Sequence, residues 1–305
     1  MSAPLNGTVA LPHLGVIRAA GEDAATFLHG QLTQDFAQLG AGDARLAAFC
    51  SAKGRMLASF IGFRDPGGDL LLVCSRDLLP PTLKRLSMFV LRAKAKLTDA
   101  SAEFAVRGIA GDALRQLVPS AATPWTRQDA AGGSLVHLYP AQGTPRALWV
   151  GPAALPTPAG EAMRPEAWAW GEVHAGVATL SAPVVEAFVQ QMLNYESVGG
   201  VNFKKGCYPG QEVVARSQYR GTLKRRAFIV HANAALAAGQ EVFQEDDPEQ
   251  PAGTVVQAAP APDGGSDAIV SLQVAATERG GLHAGSATGP QLHLLQLPYL
   301  LLADV

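Results

Sequence analysis

Two strand-like runs, Ala44–Cys50 and Arg55–Arg64, are joined by only Ser51-Ala52-Lys53-Gly54, and this spacing constrains the fold more than any other feature of the chain. A link so short fits an antiparallel hairpin, with Gly54 supplying the positive φ that a tight turn often needs. A second turn, Asp65-Pro66-Gly67-Gly68-Asp69, leads into the apolar run Leu70–Cys74. After Pro80-Pro81, the leucines and Met88 of Leu83–Leu91 recur at helical spacing, and Arg92–Leu97 reads as another strand. Upstream, Gly21-Glu22-Asp23 opens a helix whose apolar face carries Phe27, Leu28 and Leu32. Hairpins interleaved with helices predict an α+β unit.

The middle of the chain is looser. Phe104–Ile109 reads as a strand, Asp112–Leu117 as a short helix, and Leu135–Tyr139 and Ala147–Val150 as strands. Gly151–Pro165, rich in Pro, Ala and Gly, has the composition of a surface connection. Beyond Gly221 come short strands at Ala227–His231, Glu241–Phe243, Gly253–Ala258, Ala268–Leu272 and Gln291–Leu297, separated by Gly/Pro/Asp turns. This pattern predicts a small C-terminal β-barrel. Ala259–Asp267 reads as a disordered loop. The expected division is an α+β body over 1–222, with intertwined sub-domains of roughly 1–100 and 101–222, followed by a barrel over 223–305.

The 305 residues are 48% hydrophobic and 16% charged, a globular balance, with a formal net charge of -2. A general nucleic-acid binder carries a basic excess, so any RNA contact here is expected to be local or transient. The N-terminus shows no basic region ahead of an apolar core, and the most apolar run, Leu292–Ala303, is broken by His293, Gln296 and Pro298. That run also falls short of the roughly 20 residues of a membrane helix. The expectation is a cytoplasmic protein without membrane contact. The cysteines, Cys50, Cys74 and Cys207, are too few and scattered for a disulfide framework. Phosphate loops, dinucleotide fingerprints, nucleophile elbows and metal-spaced Cys or His sets do not occur in the sequence, so no metal site is expected.

The segment Lys204-Lys205-Gly206-Cys207-Tyr208-Pro209-Gly210-Gln211-Glu212 concentrates the chemistry. Pro209-Gly210 suits the central positions of a type II turn, which places Cys207 on a tight loop. The neighbouring Lys204 and Lys205 favour thiolate over thiol, as would a helix beginning near Gln211. Glu212, Arg216 and Arg220 then fall four residues apart on one helix face, with Gly221 as its stop. A lone cysteine is most often a small buried hydrophobe. That reading suits Cys50 and Cys74, inside apolar strand patterns, whereas the turn signals and lysines around Cys207 point to an exposed reactive thiol. Glu212 and Arg216 can equally be an ordinary surface ion pair. These residues by themselves name no substrate.

At this point the sequence resembles the YgfZ family. Lys205 to Glu212 matches the family signature K-G-C-Y-x-G-Q-E at every fixed position and continues into Val213-Val214-Ala215-Arg216. The run from Gly21 to Asp35 and the segment Cys50-Ser51-Ala52-Lys53-Gly54-Arg55 resemble that family's opening helix and first hairpin, features shared with the wider aminomethyltransferase superfamily. The resemblance implies a tetrahydrofolate-binding body around a central opening, with a role in maintaining iron–sulfur enzymes and hence in tRNA modification. It implies iron–sulfur client or assembly proteins as partners and allows a transient tRNA contact. Cys207, with Lys205 and Glu212, becomes the candidate reactive centre. Trp168, Trp170, Tyr208, Gly210, Gln211, Glu212 and Arg216 become candidate folate contacts; the bland alternative is that both tryptophans pack in the core, where alternation would send one inward and one outward. At the family's other tryptophan position this chain has Leu14.

Aminomethyltransferases carry an acidic pair in the strand after the first hairpin. The matching strand here has Ala58 and Ser59 and no carboxylate. The expectation is therefore an accessory protein and not a standard aminomethyltransferase. The alternative is a one-carbon transferase with an unknown substrate. A third reading gives Lys204, Lys205, Arg216, Arg220, Lys224, Arg225 and Arg226 as a basic edge for RNA or for folate's polyglutamate tail.

Overall fold

The computed structural model describes residues 5–120, 122–219 and 223–302. Strands β1 (Gly7–Ala10) and β2 (Leu14–Ala20) precede helix α1 (Ala24–Gln31). The hairpin β3 (Ala44–Cys50) and β4 (Met56–Arg64) follows, then β5 (Leu70–Ser75), α2 (Leu79–Ser87) and β6 (Lys96–Asp99). Next come β7 (Phe104–Ala110), α3 (Gly111–Leu117), β8 (Arg127–Ala130), β9 (Gly133–Ala141), β10 (Thr144–Pro152) and α4 (Pro165–His174). Helix α5 (Gln211–Tyr219) leads to β11 (Arg225–Ala232), β12 (Glu241–Gln244), β13 (Gly253–Pro260) and β14 (Ser266–Gln273). Helix α6 (Val274–Arg279), β15 (Leu282–Ala284) and β16 (His293–Leu295) complete the order.

The strands form three antiparallel sheets, β3-β4-β5-β2-β6, β1-β7-β10-β9-β8 and β15-β12-β13-β14-β11-β16. The predicted hairpin is β3–β4, closed by Gly54 at φ 72°. The run Leu70–Cys74 is apolar throughout because the first sheet is covered on both faces. Leu70, Leu72 and Cys74 pack with Phe27, Leu28 and Leu86 beneath α1 and α2. Leu71 and Val73 point the other way, into a core shared with Val136 and Leu148 of the second sheet. Burying each such large side chain stabilises the fold by about 1.5–3 kcal/mol. Strand β1 pairs with β7, so the first strand of the chain completes the second sheet and not the first.

The last sheet curls into a small half-closed barrel, as the tail pattern predicts. Leu292 N–H donates to Leu282 O (2.8 Å) beside β15, and β16 pairs with β11 on the opposite edge, so residues 291–295 bridge the two edges.

Four local expectations differ from the structure. The helix expected over Leu83–Leu91 is α2, which starts with its prolines in the first turn, where their missing N–H is harmless, and stops at Ser87. The strand expected over Arg92–Leu97 is displaced to Lys96–Asp99 by its register with β2. Lys94 is instead held to the start of α1, its N–H donating to Asp23 Oδ2 (2.7 Å). Trp168 and Trp170 lie on a helix that the sequence reading did not foresee. Ala259–Asp267 is not a disordered loop but the tip of the β13–β14 hairpin, in which Ala261 N–H donates to Gly265 O (3.1 Å).

That hairpin delivers Asp267 into the contact between α4 and the barrel. Trp170 Nε1 donates to its Oδ2 (2.8 Å), His174 Nε2 meets the same oxygen (2.6 Å) and His231 Nδ1 meets Oδ1 (2.7 Å). Burial works to raise the carboxyl pKa, but the bonds from His174, His231 and Trp170 prevail and hold it below the usual carboxylate range. A depressed carboxyl adds stability above its unfolded pKa of about 3.9 and loses it as pH falls through the folded value. His231, raised by its bond to Asp267, acts in the opposite sense: its contribution is full below about pH 6.5 and is lost as pH rises through its folded value. Asp267→Asn is expected to destabilise the protein by about 1–3 kcal/mol at pH 6. In urea denaturation the difference from wild type should shrink below pH 4, and an equal deficit at pH 3 and pH 6 would refute this account.

Candidate functional site

A largely apolar cavity, partly open to solvent, lies between the first two sheets and α4. Its walls are Leu14 of β2, Leu46 of β3, Ser59–Ile61 of β4, Val73 and Cys74 of β5, Leu138 and Tyr139 of β9, and Arg146 and Leu148 of β10. Helix α4 contributes Trp168 and Glu172, and Ala175 and Val177–Thr179 together with Trp125 complete the lining.

Helix α4 sorts its side chains by angle. Trp168 and Glu172 are four residues apart and share the cavity face. Trp170 and His174 form a second such pair, two residues on and so about 200° around the helix at 100° per residue, and their rings meet at 4.2 Å, tilted by 39°, on the Asp267 side. Trp168 therefore faces the cavity and Trp170 the barrel, through helical and not strand geometry, so Trp170, expected as a folate contact, does not line the cavity. The Arg146 guanidinium lies 4.3 Å from the Trp168 ring centroid and donates to Gly171 O (2.9 Å). Burial pulls the Arg146 pKa down to about 10, against the attraction of Glu172. Two donors on this wall, Trp168 Nε1 and Arg146 Nε, are buried without a hydrogen-bond partner. Leaving such groups unpaired is costly, on the order of 1–3 kcal/mol each.

Trp125 takes a left-handed backbone conformation, φ 65°, which is strained for a large side chain. Its indole donates to Val198 O (2.7 Å) and its ring meets Tyr139 at 5.9 Å. Arg146, Glu172, Trp125 and Tyr139 were not singled out from sequence. Glu172 was within reach: with Pro165 read as the first residue of a helix, Trp168 and Glu172 fall on one face. Ser59, at the strand position without a carboxylate, accepts a hydrogen bond from Leu180 N–H (2.9 Å). The cavity's carboxylate comes from α4 instead.

Of the predicted site residues, Trp168 alone lines this cavity; residues 204–216 do not. They form a separate surface against α1 and the β3–β4 hairpin. Tyr208 O accepts from Gln211 N–H (3.2 Å) across Pro209-Gly210, with Gly210 at φ 80°, as a type II turn requires. A Cβ on Gly210 would come within 2.5 Å of Ser51 O, so the loop docks on the hairpin only with glycine there. Lys205 anchors the other side, its Nζ donating to His29 O and to Leu32 O (2.9 Å) at the end of α1 and lying 4.7 Å from the Tyr208 ring centroid. Burial lowers the Lys205 pKa to about 8, against the attraction of Asp35 and Cys207. Between these anchors Cys207 is exposed. Gln211 begins α5, and Glu212 pairs with Arg216 at 2.9 Å on its exposed face.

Much of the proposed basic edge is engaged in structure. Arg226 pairs with Glu196 at 2.5 Å in a buried contact, and Arg225 donates to Ala252 O and Pro251 O. Lys205 and Arg216 are engaged as described, and Arg220 and Gly221 lie outside the described residues.

Comparison with known proteins fixes the class first. The glycine cleavage system aminomethyltransferase T from Bartonella henselae matches with a TM-score of 0.65 at 14% identity, over 96% of this chain and 86% of that one. This is an aminomethyltransferase-type fold. No protein-family model matches the chain. In sequence it is 30% identical over 262 residues to the tRNA-modifying protein YgfZ of Klebsiella pneumoniae (strain 342), covering 80% of this chain and 78% of that one. The protein of the same name from Enterobacter sp. (strain 638) is 31% identical over 250 residues, with 77% and 75% coverage. The chain belongs to the YgfZ family. Among the described residues no helix is long and apolar enough to cross a membrane.

The three thiols differ sharply. Burial pushes Cys50 and Cys74 up to about 12, in Cys50 against a hydrogen bond from Gln190 Nε2. Brief N-ethylmaleimide treatment of the native protein at pH 7.5 should give one adduct, at Cys207, and treatment in urea three. Peptide mass spectrometry would show it, and native labelling of Cys50 or Cys74 would contradict the burial argument.

Proposed function

We propose that this is a cytoplasmic, tetrahydrofolate-binding accessory protein that supports assembly or repair of iron–sulfur enzymes and through them tRNA modification, with Cys207 as its reactive group. The folate part rests on the two unpartnered buried donors, Trp168 Nε1 and Arg146 Nε, in the same cavity wall as the Glu172 carboxylate. A pterin is flat and apolar on its faces, with ring acceptors and adjacent N–H donors at its edge. Donors without partners, a carboxylate and the Trp125–Tyr139 pair are the groups such a ring needs. When bound, the reduced pterin supplies a carrier for a one-carbon unit. The residues of this chain would bind and orient it: Glu172 would accept from its N–H groups, Trp168 and Arg146 would donate to it, and the apolar walls would exclude water.

The family membership and the exposed thiol support the rest of the reading. A stable iron–sulfur cluster takes four thiolates, and this chain has three cysteines, two of them buried. The protein would therefore act on client enzymes and not hold a cluster alone. Its link to tRNA would likewise run through those clients, since Lys205, Arg216, Arg225 and Arg226 of the basic edge are already engaged within the chain. The alternative of a folate-dependent transferase is favoured by one observation, the Glu172 carboxylate in the cavity. One-carbon loss from 5,10-methylenetetrahydrofolate that depends on a second substrate would shift the assignment to that reading.

Titration with tetrahydrofolate, followed by tryptophan fluorescence, should show saturable binding. Glu172→Gln should weaken it about tenfold, the cost of one charge-assisted hydrogen bond, while Trp170→Phe should change affinity little. Absence of binding by wild type at micromolar ligand would sink the folate reading. In cells lacking the protein, Cys207→Ala is expected to restore less than about a tenth of tRNA thiolation (the scale of losing an activated nucleophile). Full restoration would remove the thiol from the mechanism.

A further inference from the structure

A second cleft, open to solvent, borders the cavity at Leu14, between the β1–β2 connection and β7. Two guanidinium groups line it, Arg76 and Arg107, and no carboxylate does. Arg107 Nε is buried without a hydrogen-bond partner. Arg76 has its backbone N–H fixed to His13 O (2.8 Å) while its side chain is exposed. Among the described residues neither guanidinium has a carboxylate partner. The acids nearby are engaged elsewhere. Asp77 accepts from Ser75 Oγ (2.6 Å) and Ala182 N–H (2.9 Å), and Glu103 pairs with Arg18 at 2.8 Å.

The unpartnered, buried Arg107 Nε and the exposed Arg76 guanidinium border one concavity with no anion in its walls, and an anion seated there would satisfy the first and pair with the second. The position says which anion. Leu14 lines both the cleft and the cavity. Arg76 also lines an outer groove, which meets the cavity at Glu172 and Thr179. A flexible acidic chain on a molecule seated in the cavity would reach Arg76 along this groove, with Arg107 in the adjoining cleft that Arg76 also lines.

We propose that Arg76 and Arg107 form a carboxylate-binding subsite for the γ-linked glutamyl tail of the folate, a step that rests on the folate reading above. The tail brings closely spaced carboxylates, which match guanidinium forks better than they match point charges. This moves tail recognition away from Lys224, Arg225 and Arg226. The cleft is also narrow and partly apolar, with Phe104 and Leu11 in its walls, unlike a surface that tracks a nucleic-acid backbone.

The test compares tetrahydropterin, mono- and triglutamyl tetrahydrofolate on wild type, Arg76→Ala and Arg107→Gln, with circular dichroism to confirm folding and Arg107→Lys as the charge-retaining control. Wild type should prefer the triglutamate. Each neutral substitution should cut triglutamate affinity about tenfold and leave tetrahydropterin affinity unchanged, with partial recovery in Arg107→Lys. An unaltered ratio of triglutamate to monoglutamate affinity in both neutral variants overturns the subsite. Should no pterin or folate bind wild type, the folate reading fails separately. The cleft is then judged by phenylglyoxal modification of Arg76 and Arg107, read by mass spectrometry with and without free γ-triglutamate. Selective protection by the triglutamate supports the subsite. No protection, or equal protection by inorganic phosphate or by tRNA at the same charge concentration, overturns it.

Discussion

The arrangement of the cavity depends on one buried carboxylate. Asp267 takes hydrogen bonds from two residues of α4 and one of β11, and its side chain is 7% exposed. A charge so buried is tolerable only with its partners in place, which makes the contact selective for a single rotation of α4. Because Trp170 and His174 must face Asp267, Trp168 and Glu172 must face the opposite side. A helix turned by even one residue, about 100°, would bring neither pair to its place. The chemistry of the cavity is thus set from outside it, by a hairpin of the C-terminal barrel.

This dependence explains what could and could not be read from sequence. The β3–β4 hairpin was legible because its information is local: two apolar runs and a glycine at the turn. The type II turn at Pro209-Gly210 and the start of α5 at Gln211 were legible for the same reason. Asp267 was not, since its partners lie 36, 93 and 97 residues away and nothing beside it marks a carboxylate that will be buried. The prolines and glycines around Pro260–Gly265 read as disorder, although they are the turn chemistry of a tight hairpin. Trp168 and Trp170 were correctly separated by face, but the spacing of two residues gives opposite sides in a strand and nearly opposite sides in a helix. Only Pro165, as the first residue of a helix, distinguishes the two, and it also reveals Glu172.

The signature segment has a different architecture from the cavity. Lys205 satisfies carbonyl oxygens at the end of α1, where the helix leaves acceptors without internal partners. Gly210 lets the loop lie against Ser51 and Gly54. A lysine and a glycine that look like catalytic accessories in sequence therefore have definite structural tasks, and both tasks hold Cys207 outward. Reading every residue of a motif as chemistry overestimates its active members.

The thiol surface and the cavity share strands. Gly54, against which Gly210 packs, closes the hairpin whose strands carry Leu46, Ser59 and Phe60 into the cavity wall. Ser59 is further tied to the segment beyond α4 through Leu180 N–H. The same pair of strands thus forms part of the cavity wall and, at its turn, the platform under the Cys207 loop. Packed strands transmit displacement because interiors at crystal-like density leave no slack. Coupling of this kind requires that the ligand bind two arrangements of the hairpin with different affinity. The carboxylate of the cavity comes from α4 and not from β4, where Ser59 stands, so the charged group of the cavity and the exposed thiol of Cys207 sit on separate elements joined only through the β3–β4 hairpin.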